Sequence, residues 1–416
     1  MRIKIFQIGV GSFGRYGFEK LVRMSRKFED VDVEIEAVCD TDFERLEKAE
    51  KFAEANGIDI QTFQDPEEMY EEAEKHEKVM IYDSGPTETH PEHVMKSIRH
   101  GFFHLAEKPA SLTRDQHLEE KRLAENERVM WKTDFIERES PVIKKMTDLV
   151  REVDEIRTYR ESSVGVEKAL EPMKRAGVKG GDVLDKMVHK AYILDFLEKT
   201  PGETEMELEK VETDHLMPAK MNSDRLMSIH GGRTENIDEE TATAVTQAEF
   251  NSSDMKVKMH SSWFGLSQEL LMEAKRIEEK TGHRPFERGF SHLEGTAYVD
   301  EEARLVVIEG DKNLAGDLLH NKLFDLDTGE EIETEYFMHD QLWRVLEKAI
   351  LEAVGDKEPE EVEKETDIFM EAIFNIKENI GGDYMEEVEK ANDKLKSMVV
   401  DDGKLIEAEG SETLAG

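Results

Sequence analysis

Short apolar runs alternate with amphipathic stretches over the first third of the chain. Four runs have the length and composition of buried strands, at residues 3–8, 33–39, 79–83 and 102–106. Three stretches between them have apolar side chains at helical spacing, at residues 18–24, 43–56 and 91–100. Such alternation predicts an α/β fold with a doubly wound parallel sheet, in a first domain that spans residues 1–134.

The pattern changes beyond residue 134. Strands that alternate apolar and polar residues are expected at 155–162, 242–246 and 256–260, as in antiparallel sheets with one solvated face. Helical spacing is found at residues 141–152, 182–197, 268–280, 341–354 and 362–379. The sequence therefore predicts a second α/β domain over residues 135–382, and a weakly ordered acidic tail over residues 383–416.

Acidic residues dominate the composition of the chain. Its 416 residues include 56 Lys plus Arg and 96 Asp plus Glu, which gives a net charge of −40. Such a surface repels phosphate backbones and anionic lipid, so neither nucleic acid nor a membrane is an expected partner. The chain contains no run of about 18 apolar residues, and its N-terminus leads into a glycine loop rather than a signal-peptide cleavage site. A cytoplasmic protein is expected.

The acid excess extends over the whole chain and has two interpretations. It could serve only to keep the protein in solution. The favoured hypothesis is that the protein comes from a halophile. The high salt concentration of its cytoplasm would screen the repulsion among surface carboxylates, which would destabilise the fold in dilute buffer. The single cysteine, Cys39, and the scattered histidines show no metal-ligand spacing, so no metal site is predicted.

The first strand leads into a glycine-rich motif, Gly9-Val10-Gly11-Ser12-Phe13-Gly14, which has the form G-x-G-x-x-G. A strand precedes this motif and a helix follows it, which is the context of a dinucleotide site with the pyrophosphate at the helix N-terminus. Asp40 ends the second strand, where it can accept hydrogen bonds from ribose hydroxyls but would repel a 2′-phosphate. NAD is therefore preferred to NADP, although nearby Arg45 favours the phosphate.

Two further motifs are candidates for chemistry. Glu107-Lys108-Pro109 follows a predicted parallel strand, at the sheet edge where ligands bind. Asp185 and His189 are four residues apart, so they share a face of the predicted helix. Taken separately, the first motif is compatible with a surface turn and the second with an ordinary helix surface.

Together, these motifs resemble the glucose-fructose oxidoreductase, inositol dehydrogenase and rhizopine-catabolism (Gfo/Idh/MocA) family. The resemblance covers residues 1 to about 200 and rests on the order of the motifs. They are the glycine motif, the strand end Val38-Cys39-Asp40, Gly85-Pro86-Thr87-Glu88-Thr89-His90, Glu107-Lys108-Pro109-Ala110, and Gly180-Gly181 with Leu184-Asp185 and His189.

The resemblance implies a Rossmann domain followed by an α/β domain with an open, largely antiparallel sheet. That second domain would cover the cofactor, supply the substrate pocket and form a homo-oligomer, a dimer or tetramer. Lys108 matches the catalytic lysine, Asp185 and His189 match the acid and the histidine, and the Lys108–Pro109 bond is expected to be cis. The expected cofactor contacts are Gly9, Gly11, Ser12, Phe13, Gly14, Asp40, Pro86, Thr87, His90, Glu107 and Lys108.

Two positions depart from the family pattern. Gly85-Pro86-Thr87 stands where Thr-Pro-Asn is common, which puts the contacts to the nicotinamide side in doubt. Met187 replaces a small residue, which could narrow the pocket and restrict the substrate.

The expected reaction is hydride transfer between NAD and a secondary alcohol of a sugar or polyol. His189 is the candidate general base, because imidazole ordinarily titrates near working pH, and Lys108 would stabilise the developing alkoxide. Lys108 itself, with a depressed pKa, is the alternative base. Two alternative functions are an NAD-using glycosidase of the same family and a dinucleotide-binding sensor without turnover.

Overall fold

The computed structural model describes thirteen segments of the chain. They are residues 1–28, 30–162, 183–184, 186–197, 206–216, 243–252, 255–262, 267–285, 302–334, 340–355, 360–379, 398–401 and 404–407. The chain divides into two compact units. Unit 1 combines Met1–Glu139 with Phe337–Glu371, and unit 2 combines Ser140–Tyr336 with Ala372–Gly416.

Unit 1 contains a six-stranded sheet in which every strand pairing is parallel. The strands are β1 (Arg2–Ile8), β2 (Asp32–Cys39), β3 (Gln61–Phe63), β4 (Val79–Asp83), β5 (Phe103–Glu107) and β6 (Trp131–Asp134). Their order is β3-β2-β1-β4-β5-β6. This is the Rossmann order, so the predicted doubly wound parallel sheet is confirmed.

Helices cover both faces of this sheet. They are α1 (Ser12–Met24), α2 (Phe43–Ala55), α3 (Pro66–Ala73), α4 (His90–Arg99) and α5 (Arg114–Glu127). Short 3-10 helices are formed by Thr87–Thr89 and Ile136–Glu139. On one face, Ile3 and Ile5 share a buried cluster with Phe18 of α1, and on the other Phe6 packs with Met69 of α3. Burial on both faces explains the continuous apolar strands.

A helix from late in the sequence completes the core of unit 1. This helix is α9 (Gln341–Val354). The other helices after residue 140 are α6 (Pro141–Leu149), α7 (Ile193–Leu197), α8 (Gln268–Thr281) and α10 (Glu360–Asn379). Leu346 and Ile350 of α9 lie in the same buried cluster as Ile5. The helix falls within the predicted second domain by sequence position but packs on the parallel sheet. The boundaries at residues 134 and 382 remain a prediction.

Unit 2 is built on an eight-stranded mixed sheet. Its strands are β7 (Val153–Ser162), β8 (Glu207–Leu216), β9 (Thr243–Ser252), β10 (Met255–Ser262), β11 (Glu302–Gly310), β12 (Leu314–Asp317), β13 (Lys322–Asp325) and β14 (Glu331–Ile332). They run in the order β14-β13-β12-β11-β7-β10-β9-β8. Only β7 and β10 pair in parallel among these strands. The predicted largely antiparallel sheet is confirmed.

Two expectations about local structure are corrected. Met187–Tyr192 form a 3-10 helix rather than part of a continuous α-helix over residues 182–197. All six of its residues are buried, so no single helical face is selected by burial. Met398–Asp401 (β15) and Lys404–Glu407 (β16) form an antiparallel pair of strands within the tail that was predicted to be weakly ordered. No helix in the described segments is long and apolar enough to cross a membrane.

Candidate dinucleotide and catalytic site

Each of the three glycines in the motif has different surroundings, which explain why glycine occupies that position. Gly9 has φ +79°, and a Cβ there would lie 2.6 Å from both the carbonyl oxygen of Ser84 and the amide nitrogen of Gly85. A Cβ at Gly14 would lie 2.2 Å from the carbonyl oxygen of Gly9. A Cβ at Gly11 would approach no described atom more closely than the Arg45 guanidinium, at 3.5 Å. Packing therefore requires the first and third glycines, while space beside the second is open to a ligand.

The loop lies at the topological switch point of the sheet, between the carboxyl ends of β1 and β4. Gln7, fully buried at the end of β1, holds it there. The Gln7 Nε2 amide donates to the carbonyl oxygens of Gly9 and Gly14, at 2.9 and 2.7 Å. It also lies 3.1 Å from the Ser84 hydroxyl. Sequence analysis missed Gln7, whose signal is one polar residue within an otherwise apolar strand end.

Helix α1 begins at Ser12 with its amino end open to an anion. No acidic side chain lies in its first turn, and no described side chain caps its N-terminal amides. Ser12 and Phe13 are exposed. Free N–H groups at a helix N-terminus, together with the helix dipole, attract phosphate oxygens. These features fit the pyrophosphate of a dinucleotide.

Asp40 closes the loop from the end of β2. Its two carboxylate oxygens accept the backbone N–H groups of Val10 and Asp42, each at 2.9 Å. The Arg45 guanidinium lies 3.6 Å from the carboxylate, and half of the Arg45 side chain is exposed. The predicted ribose-binding acid thus also fixes the glycine loop. It stands beside a cation that could approach a 2′-phosphate.

The loop after β4 rests on a buried histidine. His90 is 1% exposed, and its two ring nitrogens lie 3.0 Å from the Pro109 carbonyl oxygen and 3.1 Å from that of Gly85. Both partners are backbone carbonyl acceptors, so the ring bridges the two loops that supply them. The buried carboxylate of Asp83 lies 4.0 Å from the His90 ring. This geometry gives His90 a role in positioning the loops that carry Pro86 and Lys108.

Asp83 anchors a wider polar network that sequence analysis missed. Its carboxylate accepts the N–H of Gly85 at 2.9 Å and contacts the His93 ring at 2.8 Å. Burial favours its neutral form, but the neighbouring imidazoles of His90 and His93 outweigh that effect and lower the Asp83 pKa. Burial lowers the pKa of His104 to about 3, so that this ring is neutral. The surrounding groups therefore stabilise the ionised form of the Asp83 carboxylate.

Glu107 faces a second buried acid across the sheet. It pairs in register with Asp134 of β6, and the Tyr82 hydroxyl donates to the Glu107 carboxylate at 3.1 Å. Burial raises the pKa of both carboxyls, and the charge of Glu107 raises that of Asp134 further. The raised pKa values favour a proton on one of these two neighbouring carboxyls. Asp134, a polar residue at a strand end, was missed by sequence analysis.

The position after Glu107 carries the candidate lysine. Lys108 is half-buried, and the Lys108–Pro109 peptide bond is cis, as the family resemblance implied. Pro86 precedes the short helix Thr87–Thr89 and accepts the N–H of Thr89 at 2.9 Å. Pro86 is exposed and Thr87 is half-buried. Lys108 therefore lies at the carboxyl edge of the sheet with the other predicted cofactor contacts of unit 1.

His189 belongs to unit 2, in the 3-10 helix Met187–Tyr192. Its side chain is 7% exposed, and Met187 is fully buried. Two buried lysines anchor this helix to the sheet: the Lys186 ammonium donates to the Ser262 carbonyl at 2.8 Å, and that of Lys190 donates to the carbonyls of Thr158 and His260. Sequence analysis missed both lysines, whose spacing of four residues was the available signal. Asp185 lies outside the described residues, as do Gly180 and Gly181.

Comparisons with known proteins agree with the fold. Residues 3–135 match the sequence model of the oxidoreductase family Gfo/Idh/MocA, described by its NAD-binding Rossmann fold. No curated protein sequence matches the chain. The resemblance seen in the motifs is confirmed for the segment that contains the glycine loop, Asp40, His90 and Lys108.

Solved structures with 13–14% identity share the architecture over most of the chain. UDP-N-acetylglucosamine 3-dehydrogenase from Acidithiobacillus ferrooxidans has 14% identity and a TM-score of 0.61, and the match covers 94% of this chain and 99% of that one. A putative myo-inositol dehydrogenase from Sinorhizobium meliloti 1021 has 13% identity and a TM-score of 0.55, over 90% and 95%. A putative NADPH-dependent oxidoreductase from Desulfitobacterium hafniense has 14% identity and a TM-score of 0.57, over 91% and 96%. These similarities establish the fold.

Proposed function

We propose that this chain, whose residues 3–135 match the sequence model of the Gfo/Idh/MocA oxidoreductase family, transfers a hydride between NAD and a secondary alcohol of a sugar or polyol. The cofactor assignment rests on the different surroundings of the three glycines in the motif. Gly9 and Gly14 are required by close packing, whereas Gly11 adjoins open space at the amino end of α1. A tight turn without a ligand would not need the second glycine.

The residues of unit 1 would hold the dinucleotide. The N–H groups at the start of α1 bind the pyrophosphate, and Asp40 accepts hydrogen bonds from the adenosine ribose. The Asp40 carboxylate makes NAD the preferred cofactor. Arg45 can contact a 2′-phosphate, so NADP also binds, but with lower affinity than NAD. When bound, the nicotinamide accepts or returns the hydride.

We assign the catalytic roles to Lys108, His189 and Asp185. Lys108 donates a hydrogen bond to the reacting oxygen and stabilises alkoxide charge. His189 takes the hydroxyl proton, and Asp185 orients its imidazole or binds a neighbouring substrate hydroxyl. A substrate with several hydroxyls suits such a set. The names of two solved relatives, one acting on a UDP-sugar and one assigned to myo-inositol, favour the same class.

The test is turnover by the full chain with a panel of sugars, polyols and UDP-sugars, with NAD and NADP as separate cofactors. We expect NADH formation with at least one panel member and its loss in K108A and H189A. H100A is the matched histidine control, because the His100 ring is partly exposed and paired with Glu74 on the surface of unit 1. A product cleaved at a glycosidic bond without net NADH would establish the glycosidase alternative. Tight NAD binding with no product from any compound would favour the sensor.

We also propose that the protein is cytoplasmic and assembles as a dimer or tetramer through the eight-stranded sheet of unit 2. The family resemblance supports this assembly. Sedimentation equilibrium in molar KCl, where like charges on two copies are screened, measures it directly. A monomer at all protein concentrations would contradict it.

A further inference from the structure

Two histidines and an aspartate converge at one end of the sheet in unit 2, in a place that the proposed reaction does not use. His283 follows helix α8, directly after Gly282, which ends the helix with φ +75°. Asp317 is the last residue of β12, and His320 lies in the turn before β13. A single carboxylate oxygen of Asp317, Oδ2, is 2.9 Å from His283 Nε2 and 2.8 Å from His320 Nδ1.

The carboxylate is held in position by its other oxygen. Asp317 is 2% exposed, and its Oδ1 accepts the backbone N–H groups of Leu319 and His320, each at 3.1 Å. This arrangement aims Oδ2 at the two imidazoles. Metal-ligating carboxylates in proteins are oriented by just such hydrogen bonds on the non-ligating atom.

The imidazole of His283 is fixed as well. It stacks on the Phe324 ring, with centroids 4.9 Å apart and planes at 26°. Its backbone N–H donates to the Thr281 hydroxyl at 3.1 Å. The His320 ring stands at 78° to that of His283, with centroids 6.0 Å apart. The three potential ligand atoms all lie within 4.8 Å of one another, so little rearrangement is needed to bring them around one ion.

We propose that His283 Nε2, Asp317 Oδ2 and His320 Nδ1 bind one divalent transition-metal ion, with Zn²⁺ as the ion that suits them best. Two imidazole nitrogens and one carboxylate oxygen form a three-ligand set of the kind that leaves a fourth position for water. Tetrahedral bonds of about 2.0 to 2.2 Å place ligand atoms about 3.3 Å apart, so each imidazole nitrogen moves about half an ångström away from Asp317 Oδ2 on binding.

The site is accessible to a cation from solvent. The side chains of His283 and His320 are 20% and 32% exposed, so an ion enters from solvent without opening the core. The bound ion would join the end of α8 to the β12–β13 turn. Sequence analysis predicted no metal site because 34 residues separate His283 from Asp317, and only the fold brings the two together.

The experiment uses the full chain, stripped with a chelator and titrated with Zn²⁺ by equilibrium dialysis and calorimetry. We expect H320A to lose the tightest-bound Zn²⁺ per chain, with affinity at this site falling at least about tenfold. H283A should do the same. H100A is the matched control, because His100 pairs with the carboxylate of Glu74 at 2.8 Å and belongs to no group of three potential metal ligands among the described residues. It should bind Zn²⁺ as the unmodified chain does.

Two further measurements separate a built site from general attraction to an acidic surface. Mg²⁺ at the same concentration should not displace Zn²⁺, since hard cations prefer oxygen ligands. Co²⁺ should give the visible absorption of a tetrahedral complex in the unmodified chain and H100A, and not in H320A. Equal Zn²⁺ binding by H320A and the unmodified chain, displacement by Mg²⁺, or no saturable binding would each overturn the proposal. Thermal unfolding of stripped H320A checks that the variant is folded.

Discussion

The backbone of Gly9 touches the backbone of Ser84: a Cβ at Gly9 would stand 2.6 Å from the Ser84 carbonyl oxygen. Two loops, one after β1 and one after β4, meet through this contact at the switch point of the parallel sheet. The contact ties the cofactor loop to the segment that leads to Pro86. Substitution of each glycine therefore has a distinct expected result.

We predict that G9A and G11A fail in different ways. G9A combines a left-handed backbone with a backbone clash, so it should destabilise unit 1 by more than the roughly 1–2 kcal/mol of backbone strain alone. G101A is the matched control, since Gly101 has φ +75° and a Cβ at that position would meet no described atom within 4 Å. The free energy of unfolding, measured in urea, compares them. Equal losses in G9A and G101A would contradict the close contact.

G11A should leave the free energy of unfolding nearly unchanged and weaken NAD binding by at least about tenfold, equivalent to about 1.4 kcal/mol. The backbone of Gly11 has φ −63°, which alanine adopts without strain. Its methyl group would occupy the space beside the amino end of α1. A fluorescence titration with NADH measures the affinity. Undiminished binding would place the pyrophosphate elsewhere.

Arg45 offers a test of cofactor choice. We predict that R45A lowers affinity for NADP by about tenfold and leaves NAD almost unaffected, since a hydrogen bond to a charged group contributes about 1.5 kcal/mol. K48A removes another exposed cation one turn further along α2 and serves as the control. The dissociation constants of both cofactors in both variants provide the measurement. An unchanged NADP affinity in R45A would show that this guanidinium makes no phosphate contact.

The two candidate bases are separated by pH. If His189 takes the proton, alcohol oxidation by the unmodified enzyme rises through the range where imidazole ordinarily loses its proton, about pH 6.5. H189A should lose that rise and between about 10² and 10⁴ of the rate. The kcat profile of H189A against pH gives the answer. A rise that persists there would transfer the role of base to Lys108.

Glu161 is expected to make the stability of unit 2 fall as pH rises. Burial raises its pKa to about 7, although the backbone N–H and hydroxyl of Ser267 favour the charged form. The unfolded chain releases this proton near pH 4.5, before the folded chain does. The contribution of Glu161 is therefore fully present below about pH 4.5 and is lost as pH rises through about 7, by up to about 3 kcal/mol.

The matched comparison is E161Q against E279Q, whose parent Glu279 is exposed near the end of α8. A glutamine at position 161 accepts the Ser267 N–H and donates to its hydroxyl, as the protonated acid does. Urea unfolding at about pH 5 and about pH 7 should show a smaller difference in E161Q than in the unmodified chain. The same difference in all three proteins would mean that Glu161 is charged when folded.

Apolar periodicity predicted the regular elements well where burial is one-sided or complete. The strand at Val79–Asp83 and the helix at Gln341–Val354 have the predicted bounds. Strand β3 (Gln61–Phe63) was missed because it is a three-residue edge strand with no buried residue. Helix α5 was missed because only His117, Glu120 and Ala124 are buried on it.

The candidate site was predictable as far as local motifs extend. The glycine loop follows from its spacing and context, whereas Lys108 was singled out by its place after a predicted strand together with the family resemblance. The supporting groups Gln7, Asp83 and Asp134 depend on partners that are distant in sequence. Gln7, for example, contacts Ser84, 77 residues away, and Asp134 pairs with Glu107 of the neighbouring strand. Such contacts depend on the fold, and a single sequence does not show which distant residues meet.

The charge of −40 gives a prediction about salt. At about 1 M KCl the screening length is about 3 Å, so repulsion among surface carboxylates is nearly removed while hydrogen bonds at buried Asp40 persist. The melting temperature and the NAD affinity should therefore both increase between dilute and molar KCl, because the pyrophosphate then enters a weaker negative field. Sucrose at matched osmolality is the control, since it stabilises compact states without screening charge. Equal effects of sucrose and KCl, or a melting temperature and NAD affinity that do not respond to KCl, would leave the acidic surface with solubility as its role.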